Sequence, residues 1–298
     1  MSVNIPDHYT ISFSTNVMLL LQIKGSKLRE CVTEASYTGK QASPVDQIGS
    51  VEMQDVTGRF QPKVRTDASV DRRWVTPSDF DLTQSIDTFD KLRLITDPES
   101  SYTQNAVFAA GRKIDRLIIA AFTGTAKTGE QGATSTSFTA GNEIDVAGGG
   151  ANSKLNVQKL LDVKELMGRQ FVDFDIEEVY VGLTARDEAA LLKEIQIISS
   201  DFNGQERPVL KDGRVDRFLG LMFKHTELIE SAAAGTNEVN VPVWCKSGMH
   251  LGIWNDVTTS IYQNKQLRGE PWESYIMATF GATRLEENKV YNIESYRA

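Results

Sequence analysis

The chain has 298 residues, 40% hydrophobic and 24% charged, with a formal net charge of −8. That composition belongs to a folded protein with a real core, in one large domain or two modest ones. The acidity disfavours electrostatic wrapping of nucleic acid, and no apolar run is long enough to cross a bilayer.

Residues 1–10 contain Asp7 and no Lys or Arg, unlike the start of a secretory signal, so the protein is expected to stay in the cytoplasm of the cell that makes it. The first thirty residues read as an arm with one helical patch at Val17, Leu20, Leu21 and Leu28, interrupted by Gly25. Such a patch is too short to stand alone in water, so it must pack on the rest of the chain or on a neighbour.

From Cys31 to about Arg73, single apolar residues are scattered among polar ones, and Gly39, Pro44, Gly49, Gly58 and Pro62 break any helix. Residues 50–56 and 59–64 alternate weakly, as in a two-stranded ribbon wet on both faces. A hairpin so poor in apolar content cannot bury its own core, so it is either a disordered loop or, as expected here, an extended arm ordered by partners.

Trp74, Val75, Phe80, Leu82, Ile86, Phe89, Leu92 and Leu94 bring the chain back into a core. Asp97 is then a good N-cap and Pro98 suits the first helical position. Tyr102, Ala106, Ala110, Ile114, Leu117, Ile118, Ala121 and Phe122 recur at three- and four-residue steps, Arg112, Lys113, Asp115 and Arg116 fill the other side, and Gly124 ends the run. At ~1.5 Å per residue this predicts a rod of roughly 39 Å.

Residues 124–151 are small and polar and read as a long surface loop. A second helix is predicted over 157–167, capped by Asn156 and stopped at Gly168. A strand follows at 176–183, and Thr184 with Asp187 forms a capping-box pair that opens a third helix. Asp212-Gly213 signals a hairpin turn before a strand at 218–225. Further strands are predicted at 241–245, 250–254, 258–262, 275–283 and 290–293.

None of the motifs that carry chemistry survives inspection. The GTAKTG run at 124–129 has the start of a phosphate loop but continues with Glu130 and Gln131, and it leaves a helix instead of joining a strand to one. Gly148, Gly149 and Gly150 lack dinucleotide-loop spacing. His8, His225 and His250 are far apart, with no i, i+4 pair. Cys31 and Cys245 have no metal spacing and are expected as reduced, buried thiols. Ser247 has no hydrolase elbow around it. The pairs Glu177-Glu178 and Glu286-Glu287 read as solvated faces, and Arg72-Arg73 beside Trp74 as a rim contact with a neighbouring subunit. No catalytic, cofactor-binding or metal-binding residue is assigned.

An arm, a long wet hairpin, a long capped helix, a small α/β unit and a return to strands, taken together, resemble the major capsid proteins of tailed bacteriophages. Three stretches carry the likeness: DKLRLITDPESSYTQNAVFAAGRKIDRLIIAAFTGTA at 90–126, EEVYVGLTARDEAALLK at 177–193, and LGIWNDVTTSIYQNKQLRGEPWESY at 251–275 with residues 279–293 after it. The resemblance implies an α+β capsid fold. Its parts would be an N-terminal arm at 1–30, an extended hairpin loop at 31–81 reaching over a neighbouring subunit, a peripheral domain at 82–153 with its spine helix at 98–123, an axial domain at 154–240, and return strands at 241–298 completing the axial and peripheral domains.

It further implies a non-enzymatic subunit of pentamers and hexamers in an icosahedral head. The head would enclose double-stranded DNA without reading its sequence, assemble in the host bacterial cytoplasm and reside in the virion. Portal and scaffolding proteins are the implied partners, with decoration proteins left open; no cofactor and no membrane are implied. No scaffolding domain is expected ahead of the arm, and a separate scaffold or a cleaved segment both stay open. Some relatives cross-link subunits through a lysine and an asparagine, but no such pair is identified here. The alternatives are an encapsulin-type compartment shell of the same fold, against which the long arm and hairpin speak, a small-ligand enzyme or binding domain, and a tail or tube protein.

Overall fold

The computed structural model of the chain describes residues 24–40, 42–55, 58–59, 63, 65–86, 99–147, 152–194, 215–229, 237–268 and 270–297. The helical patch at 17–23, the cap pair Asp97 and Pro98, the glycines at 148–150 and the Asp212-Gly213 turn lie outside them.

Helix α1 (Glu99–Thr123) is the predicted rod. Ile114, Ile118 and Phe122 fall four apart, so they share one face; with Ala106, two turns earlier, they are all buried. That stripe packs against a sheet of four strands ordered β1 (Thr33–Ser36), β12 (Met249–Gln263), β13 (Trp272–Arg284), β4 (Ser78–Ile86). Leu28, Cys31, Trp244, Met249, Leu251, Phe280 and Val290 complete this core, where the Phe122 and Trp244 rings lie 4.6 Å apart.

Strands β12 and β13 form one long antiparallel hairpin, from Met249 opposite Arg284 to Gln263 opposite Trp272. Two separate strands were expected along 250–262. The chain keeps one strand by taking up the polar Asn255-Asp256 interruption as irregularities in register between Ile253 and Thr258. The expected division between 81 and 82 falls inside β4, which is fully paired with β13.

The second core lies on a six-stranded sheet ordered β7 (Glu143–Ile144), β14 (Val290–Tyr296), β11 (Glu238–Cys245), β8 (Val179–Leu183), β10 (Leu221–His225), β9 (Arg217–Phe218). Central strand β8, VYVGL, is buried along its whole length, as an unbroken apolar run predicts for a strand covered on both faces. Helix α2 (Val157–Arg169) adds Leu160, Val163 and Met167 to this core, and Asn156 caps it by accepting from the Lys159 N–H at 2.9 Å. Helix α3 (Ala185–Leu191) opens with the expected Thr184–Asp187 capping box. The expected boundary at 240/241 falls inside β11, which pairs with β14 along 238–244 and with β8 along 243–245. The predicted strand at 218–225 is two, because Leu219 and Gly220 both have positive φ and turn the chain between them.

The third sheet is ordered β2 (Ala42–Ile48), β3 (Val70–Val75), β5 (Ala126–Thr128), β6 (Thr134–Thr136). The surface loop expected at 124–151 therefore contains strands. Its small polar residues hide a hairpin that Trp74 organises: the indole N–H donates to the Gly129 carbonyl at 2.7 Å, and a side chain at Gly132 would meet the indole ring at about 3 Å.

Candidate assembly surface

The feature with the most exposed apolar surface among the described residues is the ribbon formed by β2 and β3. Ile48 pairs with Val70 at its outer end, and the Gly49 N–H reaches the Ser69 carbonyl at 2.6 Å. β2 thus lies inboard of the expected 50–56, where residues 50–55 belong to no strand, and most of the expected 59–64 lies outside the described residues. Pro44, read as a breaker, is accommodated at a register shift between Ala42 and Val45. At the outer end Ile48 is 73%, Val51 57%, Met53 101% and Val70 71% exposed. Apolar surface of this kind, clustered at the tip of a projection, marks a contact site.

The base of the ribbon is fixed. Arg73 of β3 is buried; its guanidinium reaches Gln47 Oε1 at 3.3 Å and Glu287 Oε1 at 3.2 Å. The other oxygen of Glu287 takes the Arg284 Nε at 2.7 Å. Fully buried Arg284 also donates to the Phe122 and Gly124 carbonyls at 2.7 and 2.9 Å, where α1 ends with acceptors to spare. One carboxylate therefore bridges the ribbon, the β13 terminus and the end of the long helix. Arg72 pairs with Asp46 across the ribbon and lies over the Trp74 ring, 5.8 Å from its centroid.

Arg72 and Arg73 are both engaged within their own chain. Two expectations are corrected. Glu287 is a half-buried bridge, and Glu177 is half-buried too, accepting from Ser247 Oγ at 2.8 Å and Lys289 Nζ at 3.1 Å, so only part of each acidic pair is a solvated face. Asp115, assigned by its spacing to the polar side of α1, is fully buried and accepts from the Lys27 and Leu28 backbone N–H groups.

The candidate chemical residues stay apart. His250 is buried, with Nδ1 3.0 Å from Thr33 Oγ1 and Nε2 2.9 Å from the Tyr37 hydroxyl; burial without a charged partner pushes it down to about 4. His225 sits 3.3 Å from Glu188 and near the Val215 carbonyl. His8 lies outside the described residues. Cys31 and Cys245 are free and buried, and burial pushes their thiols up to about 11 and about 12. In the GTAKTG run, Lys127 is spent on Ser135 across the hairpin. Among the described residues no group of three or more His, Cys, Asp or Glu could hold a metal ion, and no helix is long and apolar enough to cross a membrane.

The family model described as phage capsid protein matches residues 5–296. The chain belongs to the phage capsid protein family. No curated protein sequence matches it. Among solved structures it is similar to the capsid of the cyanophage P-SCSP1u (15% identity, TM-score 0.75, covering 98% of this chain and 94% of that one). It is also similar to the capsid asymmetric unit of cyanophage Pam1 (14%, 0.74, 96% of each) and to the capsid of Ralstonia phage GP4 (11%, 0.70, 100% and 98%).

The α+β fold is thus the tailed-phage capsid fold, and the protein is a major capsid protein, a structural subunit of a phage shell. The encapsulin alternative is not favoured by these matches. What the sequence missed are the internal fastenings, Asp115, Arg284 and Glu287. Nothing in their local spacing separates them from surface charges.

Proposed function

We propose that this capsid protein forms the pentamers and hexamers of an icosahedral head that encloses double-stranded DNA, with the β2–β3 ribbon as the arm that each subunit lays over its neighbour. The observation that carries the reading is the ribbon itself: an exposed apolar tip, on a base locked by the two buried guanidinium groups of Arg73 and Arg284 on Glu287. A projection rigid at its root and apolar at its end is built to be completed by another molecule.

In this reading the sheet carrying α1 is the peripheral domain, with α1 as its spine. The six-stranded sheet with α2 and α3 is the axial domain, clustered around five- and six-fold axes. The net charge of −8 suits a container that must not adhere to packaged DNA. Scaffolding and portal proteins are the partners of assembly, which takes place in the host bacterial cytoplasm; the subunit carries out no catalysis.

Because Gly49 and Ser69 are hydrogen-bonded, residues 50–68 can be replaced by an Asn-Gly turn without disturbing β2 or β3. Electron microscopy of the expressed protein should show closed shells or capsomers for the full chain. For the shortened chain it should show only a soluble, folded subunit. Shells formed as readily by the shortened chain would sink the reading.

A further inference from the structure

A cavity of about 600 Å³ opens where the start of α2, helix α3 and the end of β14 meet. The chain carries 40 acidic and 32 basic residues, yet here the balance reverses. Lys154, Arg186, Lys193 and Arg297 line the cavity against two carboxylates, Asp187 and Glu194, a surplus of two positive charges.

Asp187 is already spent. Fully buried, it accepts from the Thr184 and Ser295 hydroxyls at 2.7 and 2.9 Å and from Arg297 Nη2 at 2.9 Å. Glu194 is the remaining carboxylate of the lining, and it faces three cations. Lys154 and Lys193 are exposed and have no ion pair among the described residues. Arg297 differs from them. Its side chain is 6% exposed, one edge of the guanidinium is fixed by Asp187, and the Nε–H has no acceptor among the described residues. A buried donor left over in this way is one that a bound anion satisfies.

The walls are preformed. Buried Lys159 donates to the Val146, Ser153 and Glu294 carbonyls at 2.9, 2.9 and 2.7 Å. The Leu155 N–H bonds Ser295 Oγ at 3.2 Å, and the Tyr296 N–H bonds the Ser153 carbonyl at 3.1 Å. The segment leading into α2 is therefore stitched to β14, and the positive end of that 13-residue helix borders the same cavity.

Cations from three separate segments, around a space of this size, suit an anion with several oxygens better than a single carboxylate. An acidic subunit repels DNA over most of its surface, so a contact with phosphate is confined to a local reversal of charge such as this one.

We propose that the cavity binds a phosphate group, with Lys154, Arg186 and Lys193 balancing its charge and Arg297 supplying a fixed donor. The phosphate is that of enclosed DNA or a free ion. The first source rests on the reading of the subunit as part of a DNA-filled head, and the second does not.

The test uses the full chain expressed free of DNA. Inorganic phosphate and a short double-stranded DNA are titrated separately at constant ionic strength, with chloride as the balancing ion. Binding is followed by calorimetry and its place by hydrogen exchange. Saturable binding of at least one probe is expected, with slowed exchange at residues 153–158 and 186–194. Binding of phosphate that DNA does not displace assigns the site to the free ion. Binding of DNA with the same footprint assigns it to the enclosed genome.

Lys154→Gln with Lys193→Gln, both at exposed positions, should weaken that binding about tenfold or more, a loss of ~1.4 kcal/mol or above. Arg297→Lys, which keeps the charge and removes the Nε–H, should weaken it as well; the exposed pair decides the matter if that variant folds poorly. Neither probe binding at constant ionic strength, or equal binding by the double-lysine variant, would overturn the proposal.

Discussion

The carboxylate of Asp115, in the middle of the long helix, receives the Ser26 hydroxyl and the Lys27 and Leu28 backbone N–H groups, the last two at 3.0 and 3.1 Å. One fully buried anion thus fastens the end of the N-terminal arm to the spine of the capsid subunit. Its charge is compensated by three donors converging on it, the arrangement that makes such hydrogen bonds strong. Asp115→Ala leaves those donors buried without an acceptor and should cost about 3 kcal/mol. Asp115→Asn, which keeps one acceptor, should cost less. Urea unfolding of the unassembled subunit measures both, and an alanine variant as stable as wild type would show that the fastening contributes nothing.

The Glu287 bridge gives a second, spatially resolved expectation. Glu287→Ala leaves two buried guanidinium groups facing each other, which should cost about 3–5 kcal/mol. The loss should be felt first in the ribbon, because Arg73 belongs to β3 and Gln47 to β2. Hydrogen exchange should accelerate at residues 42–48 and 70–75 while β8, deep in the other core, stays protected. Equal acceleration everywhere would mean that the bridge only holds up global stability. The conservative Glu287→Gln variant retains hydrogen bonding and should fall between.

Gly111 sets two known effects against each other. In a free helix, alanine in place of glycine gains about 1 kcal/mol. Here an added Cβ would collide with the Gly25 carbonyl carbon and sit 2.6 Å from the Ser26 nitrogen, both backbone atoms that cannot swing aside. Overpacking of this kind costs about 1–3 kcal/mol, so the clash wins and Gly111→Ala should lower the melting temperature. A rise would show that residues 25–26 do not run across the helix at that point.

How much of this was legible beforehand follows from what each signal depends on. The stripe Ile114, Ile118, Phe122 and the caps Asn156 and Thr184 are local patterns, and local patterns survive into the fold. The β5–β6 hairpin was missed because ATSTS-type composition is neutral between loop and strand; it is a strand only because β3 offers it an edge. Asp115 was misassigned because a helical wheel sees one helix. The polar face of α1 is solvated along most of its length and buried only where residues 25–28 cross it. Glu286 and Glu287 are adjacent and identical, yet Glu287 bridges two buried arginines while Glu286 lies more exposed beside Lys289, a distinction set by the Arg73 brought from over two hundred positions away. The exposure of Phe171 was not readable, because it goes with a left-handed backbone that the sequence around it does not announce.

His250 makes the fold pH-dependent in a defined direction. It joins β1 to β12 through Thr33 and Tyr37, is buried, and has no anion near it to support a positive charge. Thr33 Oγ1 already donates to the Met249 carbonyl at 2.8 Å, so Nδ1 donates to Thr33 and Nε2 accepts from Tyr37, which requires the neutral ring. Burial holds the folded value at about 4, against about 6.5 when unfolded. Between those values the unfolded chain binds a proton that the folded chain does not, so stability rises with pH there. The contribution is complete above about pH 6.5 and is lost as the pH falls toward 4, amounting to about 3 kcal/mol at most. Unfolding free energies measured from pH 7.5 down to 4 should show this loss, and His250→Gln should flatten the part of the slope between 6.5 and 4. The loss should be accompanied by faster exchange in residues 33–36, which pair with residues 250–253 on the outer edge of their sheet. A variant whose slope matches that of the wild type would assign the acid sensitivity to the carboxylates instead.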